Sequence, residues 1–268
     1  MKKLILIIPV LIALVVVMPS CAKKKGCTDP TALNFDADVT EEDGSCVYAS
    51  ENFQLKFHHL AGTMAMAYDT EYALSTGRKV KFTKVQMYVS GFKATSSTAN
   101  ETYDTHLLIT GEDDGTYPIG ALASENGISN LTLAIGVDSS LNHLDPASFD
   151  AENPLSANQE SFGHWGWNPG YKFIVMEGMI DSTAAMNGTV SYPFIYHLGF
   201  DEAYKPFTIA TGFTSDGTDE LVELNVDWLE FFNDVDLPQE NSCHMFTSDE
   251  LILGHKIIDQ AANAITLK

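Results

Sequence analysis

His164-Trp165-Gly166-Trp167-Asn168-Pro169-Gly170-Tyr171-Lys172-Phe173 is the stretch around which the chain is organised. It holds two of the three tryptophans, two residues apart and beside a histidine. Asn-Pro-Gly is turn chemistry, because proline presets φ and glycine accepts a positive φ. The apolar run after it, Tyr171 to Ile180, reads as a strand. A tryptophan pair at period-2 spacing in front of a strand is either a core anchor, as in most β-sandwiches, or part of a binding site.

The same texture extends outward. Phe53, Leu55, Phe57 and His59 alternate with Gln54, Lys56 and His58, which places His59 inward and His58 toward water. Val80 to Ala94 is rich in β-branched and aromatic residues, and its apolar phase slips between Phe82 and Val85, the mark of a bulge. Tyr103 to Thr110, Leu131 to Val137, Val190 to Phe200, Phe207 to Phe213 and Leu221 to Trp228 add strands separated by Gly, Asn, Asp and Ser clusters. Pro193 marks an edge or a bulge. The pattern predicts an all-β fold, an antiparallel, Ig-like β-sandwich. A long loop near 138–170 interrupts it. That loop carries His143, Phe162, His164, Trp165 and Trp167, an aromatic load that predicts packing onto the sandwich. A short C-terminal helix follows, with Ser248 as cap, Asp249 and Glu250 in the first turn, and a stripe of Ile257, Ile258, Ala261, Ala262 and Ile265.

Charge and termini bound the function. The 268 residues carry 15 Lys+Arg against 36 Asp+Glu, a net charge of −21, which argues against nucleic acid and against docking on an anionic lipid surface. Met1-Lys2-Lys3, the apolar run Leu4 to Met18 and Pro19-Ser20-Cys21 resemble a bacterial lipoprotein signal, with residues 1–20 removed and Cys21 lipidated. Two lysines and no acid leave with residues 1–20, so the charge moves from −21 to −23. Ala22 favours the outer membrane by the same resemblance, facing the periplasm or the cell surface and held by the lipid anchor only. Export implies a compartment where disulfides persist. Residues 21–52 form a tether around a Cys-bounded acidic motif that looks like those of many exported Bacteroidetes proteins. With Cys21 lipidated, Cys27 and Cys46 are natural partners, closing a loop of about 20 residues worth about 3 kcal/mol. The clustered acids suit Ca²⁺, although the EF-hand pattern is not met, and a solvated stapled spacer is the plainer reading. Residues 53–268 read as one domain.

Motifs for hydrolase elbows, zinc proteases, phosphate loops and dinucleotide binding are all missing, so no enzyme is indicated. What the chain offers is dispersed imidazole and sulfur: eight histidines, Cys243 beside His244, and Met64 and Met66. Imidazole suits copper and zinc, and thioether favours Cu(I).

Several stretches, in order, resemble the MbnP-like copper-binding proteins. Phe57-His58-His59-Leu60-Ala61-Gly62 is similar to an opening Phe-x-His-x-Val-Gly strand. Lys84 to Phe92, Gly136-Val137-Asp138-Ser139 and Leu144-Asp145-Pro146 follow the family order. Trp165-Gly166-Trp167-Asn168-Pro169-Gly170-Tyr171-Lys172-Phe173, then Met176-Glu177-Gly178, resembles Trp-x-Trp-x-x-Gly-Tyr-x-Phe and Leu-Glu-Gly. His197-Leu198-Gly199 is similar to His-Ile-Gly, Asn225 to Phe232 to a late strand, and His244 to a final histidine. The resemblance implies copper, Cu(I) or Cu(II), on histidines from separate strands. His59, His197 and His244 are the ligands it carries over. It also implies a tryptophan, Trp165 or Trp167, convertible to kynurenine by a di-haem MauG-like peroxidase partner. His164 stands where the family has Phe or Tyr and is either a further ligand or a neutral replacement. Cys243 is either a soft ligand or a buried thiol.

Two functions follow. The first is an outer-membrane-anchored copper-binding protein for acquisition, storage or handover. The second is a metal-free module whose aromatic platform of Trp165, Trp167 and Tyr171 takes glycan or protein.

Overall fold

The computed structural model describes residues 23–32, 34–46, 50–96, 100–123, 127–166, 168–212 and 220–268. The signal at 1–20, Cys21 and Trp167 lie outside them. The chain divides into two compact units, Met1–Tyr48 and Ala49–Lys268.

In the first unit Cys27 and Cys46 form a disulfide. Its acidic side chains bond within the motif: Glu42 accepts from the N–H and hydroxyl of Thr28 and from the N–H of Gly44, and Asp36 accepts from Lys24.

The second unit is built on two mixed sheets. The small sheet holds β1 (Ser50–Ala61), β4 (Thr116–Ala123), β10 (Glu220–Asp227) and β12 (Ile265–Leu267). The large sheet has the order β9 (Lys205–Ala210), β5 (Asn130–Ile135), β2 (Lys79–Thr95), β7 (Gly170–Ile180), β8 (Tyr192–Gly199), β11 (Ser242–Cys243). β3 (Leu107–Thr110) adds to β2, and β6 (His164–Gly166) adds to β7. Antiparallel pairing dominates, but β1 runs parallel to β10, and β8 parallel to β11.

Alternation decides which faces meet. Phe53, Leu55, Phe57 and His59 are buried, and they close on Phe82, Met87, Met176, Phe194 and Tyr196 of the large sheet in one apolar core. The phase slip in β2 is a bulge: Glu177 pairs Lys84 and Gly178 pairs Phe82, leaving Thr83 extra. Gly178 is required there, since a Cβ would run into the Lys81 carbonyl. Pro193 lies on β8, whose outer edge pairs with the two-residue β11 and bonds to Asn241 at Pro193 and Ile195.

Three elements differ from the sequence reading. Tyr103 to Thr110 is not one strand; it breaks at Asp104–His106 between Asn100–Tyr103 and β3. β4 goes unread because Pro118 and Gly120 look like turn residues. The helix α1 (Ser248–Ile258) is capped by Thr247, one residue earlier than expected, in a reciprocal capping box with Glu250. It stops at Ile258; Ala261 starts a separate short turn, Ala262 is exposed, and Ile265 enters β12.

The long loop is folded onto the outer face of the large sheet. Asp138 caps a turn of helix at Ser139–Asn142 and Asp145 caps a second at Pro146–Ser148. Buried Asn142 accepts from the Tyr171 N–H at 2.8 Å and donates to Asp201 at 2.8 Å. The Tyr171 hydroxyl donates to the Leu155 carbonyl at 2.6 Å, and Gln86 donates to Ser161 at 2.9 Å. These bonds fill the polar groups that a buried loop would otherwise leave open.

Candidate functional site

β7 and β8 set up the site. Val175 pairs His197, Met176 pairs Tyr196 and Glu177 pairs Ile195. Paired residues share a face, so Met176 and Tyr196 point into the core, and Val175, Glu177 and His197 point out. His197 and Glu177 are diagonal neighbours on that outer face, with Nε2 of the ring 2.8 Å from the carboxylate.

β11 brings the second imidazole. Its parallel register matches Ile195 to Ser242 and Tyr196 to Cys243. Cys243 turns inward beside Tyr196, and the next residue, His244, arrives opposite His197. The two rings are edge-to-face with centroids 5.0 Å apart. Glu250 secures the segment from below: its carboxylate accepts the N–H of His244, Phe246 and Thr247 and the Thr247 hydroxyl. Burial works against that charge, yet these donors hold the Glu250 carboxyl below its usual range. Cys243 is a buried free thiol that donates to the Glu250 carbonyl at 3.1 Å. Burial pushes it up to about 11, so it stays a thiol at neutral pH and offers no thiolate.

Trp165 closes the third side. Its ring lies 6.4 Å from His197, 5.8 Å from Phe200 and 5.3 Å from Phe246, with the Lys172 ammonium 5.7 Å over its face. Gly199 makes room: a Cβ there would sit 2.5 Å from the Tyr171 carbonyl and 2.7 Å from the indole.

The other two predicted ligands sit elsewhere. His59 points into the core from the small sheet, so the large sheet stands between it and His197. The Trp228 indole N–H donates to its Nδ1 at 3.0 Å, and its Nε2 is buried with no partner among the described residues. Burial pushes its pKa down to about 4. It lines a cleft of about 590 Å³ with Met66, Tyr68 and Asp113. His164 alternates with Trp165 and packs on Phe162 and Tyr171. Its Nδ1 accepts the Gly166 N–H at 3.0 Å, and burial lowers its pKa.

These partners sort three of the four rings. Indole and backbone N–H groups only donate, so Nδ1 of His59 and of His164 is the acceptor and Nε2 carries the proton. Neither ring has a lone pair to spare. His197 faces a carboxylate, which only accepts when ionised, so its proton is spent on Nε2 and the Nδ1 lone pair is free. Among the described residues, the one group of three ligand atoms within 4.8 Å is Cys27, Glu42 and Cys46, whose sulfurs are joined to each other.

Sequence reasoning gave Glu177, Phe200 and Phe246 no role in the site and Glu250 only a place in the first turn of the helix. Two signals point to the carboxylates: a lone acid in the apolar run of β7 marks Glu177, and the Thr-x-x-Glu box at 247–250 marks Glu250.

The MbnP family profile matches residues 50–245. The chain belongs to the MbnP family. Among solved structures, MbnP from Methylosinus trichosporium aligns at 13% identity with a TM-score of 0.49, covering 71% of this chain and 80% of that one. No curated protein matches the chain significantly. The family match spans all of the site from Trp165 to His244 and leaves out α1, which carries Glu250.

Proposed function

We propose that this MbnP-family chain is an exported copper-binding protein, anchored at the outer membrane through Cys21, that acquires, stores or hands over copper. The observation that carries the reading is the His197–His244 pair at 5.0 Å, bordered by Trp165. It unites, on one face, two histidines from separate strands and a tryptophan, which is what family resemblance leads one to look for. The donor chemistry fits. Imidazole suits copper, His197 has a free lone pair, and a carboxylate backs its ring as second partners do in metal sites. Copper here is cargo. His197 and His244 bind it, Glu177 orients the His197 ring, Glu250 holds the backbone that carries His244, and Trp165 with Phe200 and Phe246 shields one side. Trp165 is the tryptophan that borders the site within the described residues, and so the one proposed for oxidation to kynurenine.

The test is copper titration of the protein lacking residues 1–21, with Cu(I) and Cu(II) in turn. One ion per chain is expected, lost in His197→Ala and His244→Ala and kept in His59→Ala and His164→Ala. Equal binding by wild type and the His197→Ala, His244→Ala double variant overturns the reading. Intact-mass analysis of protein from its native host reads whether Trp165 is converted.

One observation favours the metal-free module. Phe246 is 59% exposed and forms a triangle with Trp165 and Phe200, an aromatic surface able to take a sugar or a peptide. Tyr171 is fully buried and plays no part in it. Absence of copper binding together with loss of glycan or peptide binding in Phe246→Ala selects this alternative.

A further inference from the structure

Glu177 is the only described side chain within hydrogen-bonding distance of the His197 ring, at 2.8 Å; the imidazole is mostly buried and the carboxylate is about a third exposed. The strand register enforces the contact: Val175 stands opposite His197, and the next outward residue on β7 is Glu177. Lys84 is the register partner of Glu177 on β2. An ionised carboxylate has no hydrogen to give, so the imidazole nitrogen facing it must be the N–H. A neutral imidazole has one N–H, and the second nitrogen then keeps its lone pair.

We propose that Glu177 is a positioning residue that locks His197 in the Nε2–H form and thereby assigns metal binding at this site to His197 Nδ1. The inference rests on the copper reading above and names the ligand atom within it. Two comparisons on the same molecule support it. At His59 and His164 the ring partner is an N–H donor, and the lone pair at Nδ1 is consumed. At His197 the partner is an acceptor, and the lone pair at Nδ1 is released. Glu250, by contrast, holds the backbone of the His244 segment; its carboxylate is 4.0 Å from the His244 ring, too far for a hydrogen bond. The two carboxylates therefore do different work: Glu177 selects a tautomer, and Glu250 fixes a loop.

The test begins on metal-free protein. Long-range proton–nitrogen correlation of the imidazoles reads which nitrogen of His197 is protonated. The Nε2–H form is expected in wild type and in Glu250→Gln, and a mixture of both forms in Glu177→Gln, whose amide donates as readily as it accepts. Copper affinity, read by competition with a chromogenic chelator, is expected to fall roughly 10- to 100-fold in Glu177→Gln, the range for losing an outer partner of a ligand. An Nδ1–H form in wild type overturns the proposal. So does unchanged copper affinity in a Glu177→Gln protein that unfolds at the wild-type temperature. Failure of the copper reading looks different: wild type takes up no copper even with His197 in the Nε2–H form, and the ligand assignment then falls with the reading, not through Glu177.

Discussion

Trp228 donates its indole N–H to Nδ1 of His59 across 3.0 Å, in the fully buried interior where parallel strands β1 and β10 end together. The bond joins residues 169 positions apart in sequence. It also decides the chemistry of His59, because the ring can then only donate from Nε2.

Trp228→Phe keeps an aromatic ring and removes that donor. Both nitrogens of His59 are then buried without a partner. A loss of about 1–3 kcal/mol is expected in urea unfolding, the cost of stranding a buried polar group, plus a packing term for the smaller ring. Copper affinity should stay at the wild-type value, since His197 and His244 are untouched.

His59 also makes stability depend on pH. Burial holds its folded pKa at about 4 against an ordinary value of 6.5. The unfolded chain therefore takes up the proton first. The His59 contribution is complete above about pH 6.5, declines as pH falls toward about 4, and is exhausted below that, with a total of about 3 kcal/mol. His59→Gln, which can still accept from Trp228, should show a flatter profile across that window. Equal slopes for the two proteins in denaturant titrations at several pH values contradict this.

Gly199→Ala places a methyl against the rigid Tyr171 carbonyl and the Trp165 ring. The carbonyl is held in a β-ladder and cannot yield, so the indole must. The expected result is a destabilisation of about 1–3 kcal/mol and a shifted Trp165 indole resonance, with that of Trp228 unmoved.

Glu250→Ala removes the acceptor for three backbone N–H groups and one hydroxyl. Hydrogen bonds to a charged group make this a loss of about 2 kcal/mol or more. Hydrogen exchange should accelerate at Phe246 and Thr247 first. Protection at these two amides equal to wild type rules out the pinning role.

Much of this protein is written in local pattern. Alternation in Phe53 to His59 settles which side of β1 is buried, because side chains in a strand project to opposite faces in turn. The same rule places the β2 bulge, and proline at 193 belongs near an edge because it has no N–H for a ladder. Cys27 and Cys46, the turn at Asn168-Pro169-Gly170 and the histidines 197 and 244 are likewise legible as residues. Their arrangement is not. His197 meets His244 through a parallel pairing only two residues long, between segments with no shared periodicity, and no local signal encodes such a register. His59 leaves the cluster because its strand belongs to the other sheet and faces inward, although its flanking motif reads like that of a ligand. The lone pair each ring offers is settled last of all, by whether folding brings it a donor or an acceptor. Sequence alone thus determined most of the strands, their faces and the chemical candidates, since these depend on neighbours along the chain. Tertiary structure alone decided which imidazoles share a surface and which nitrogen stays free, since these depend on neighbours across space.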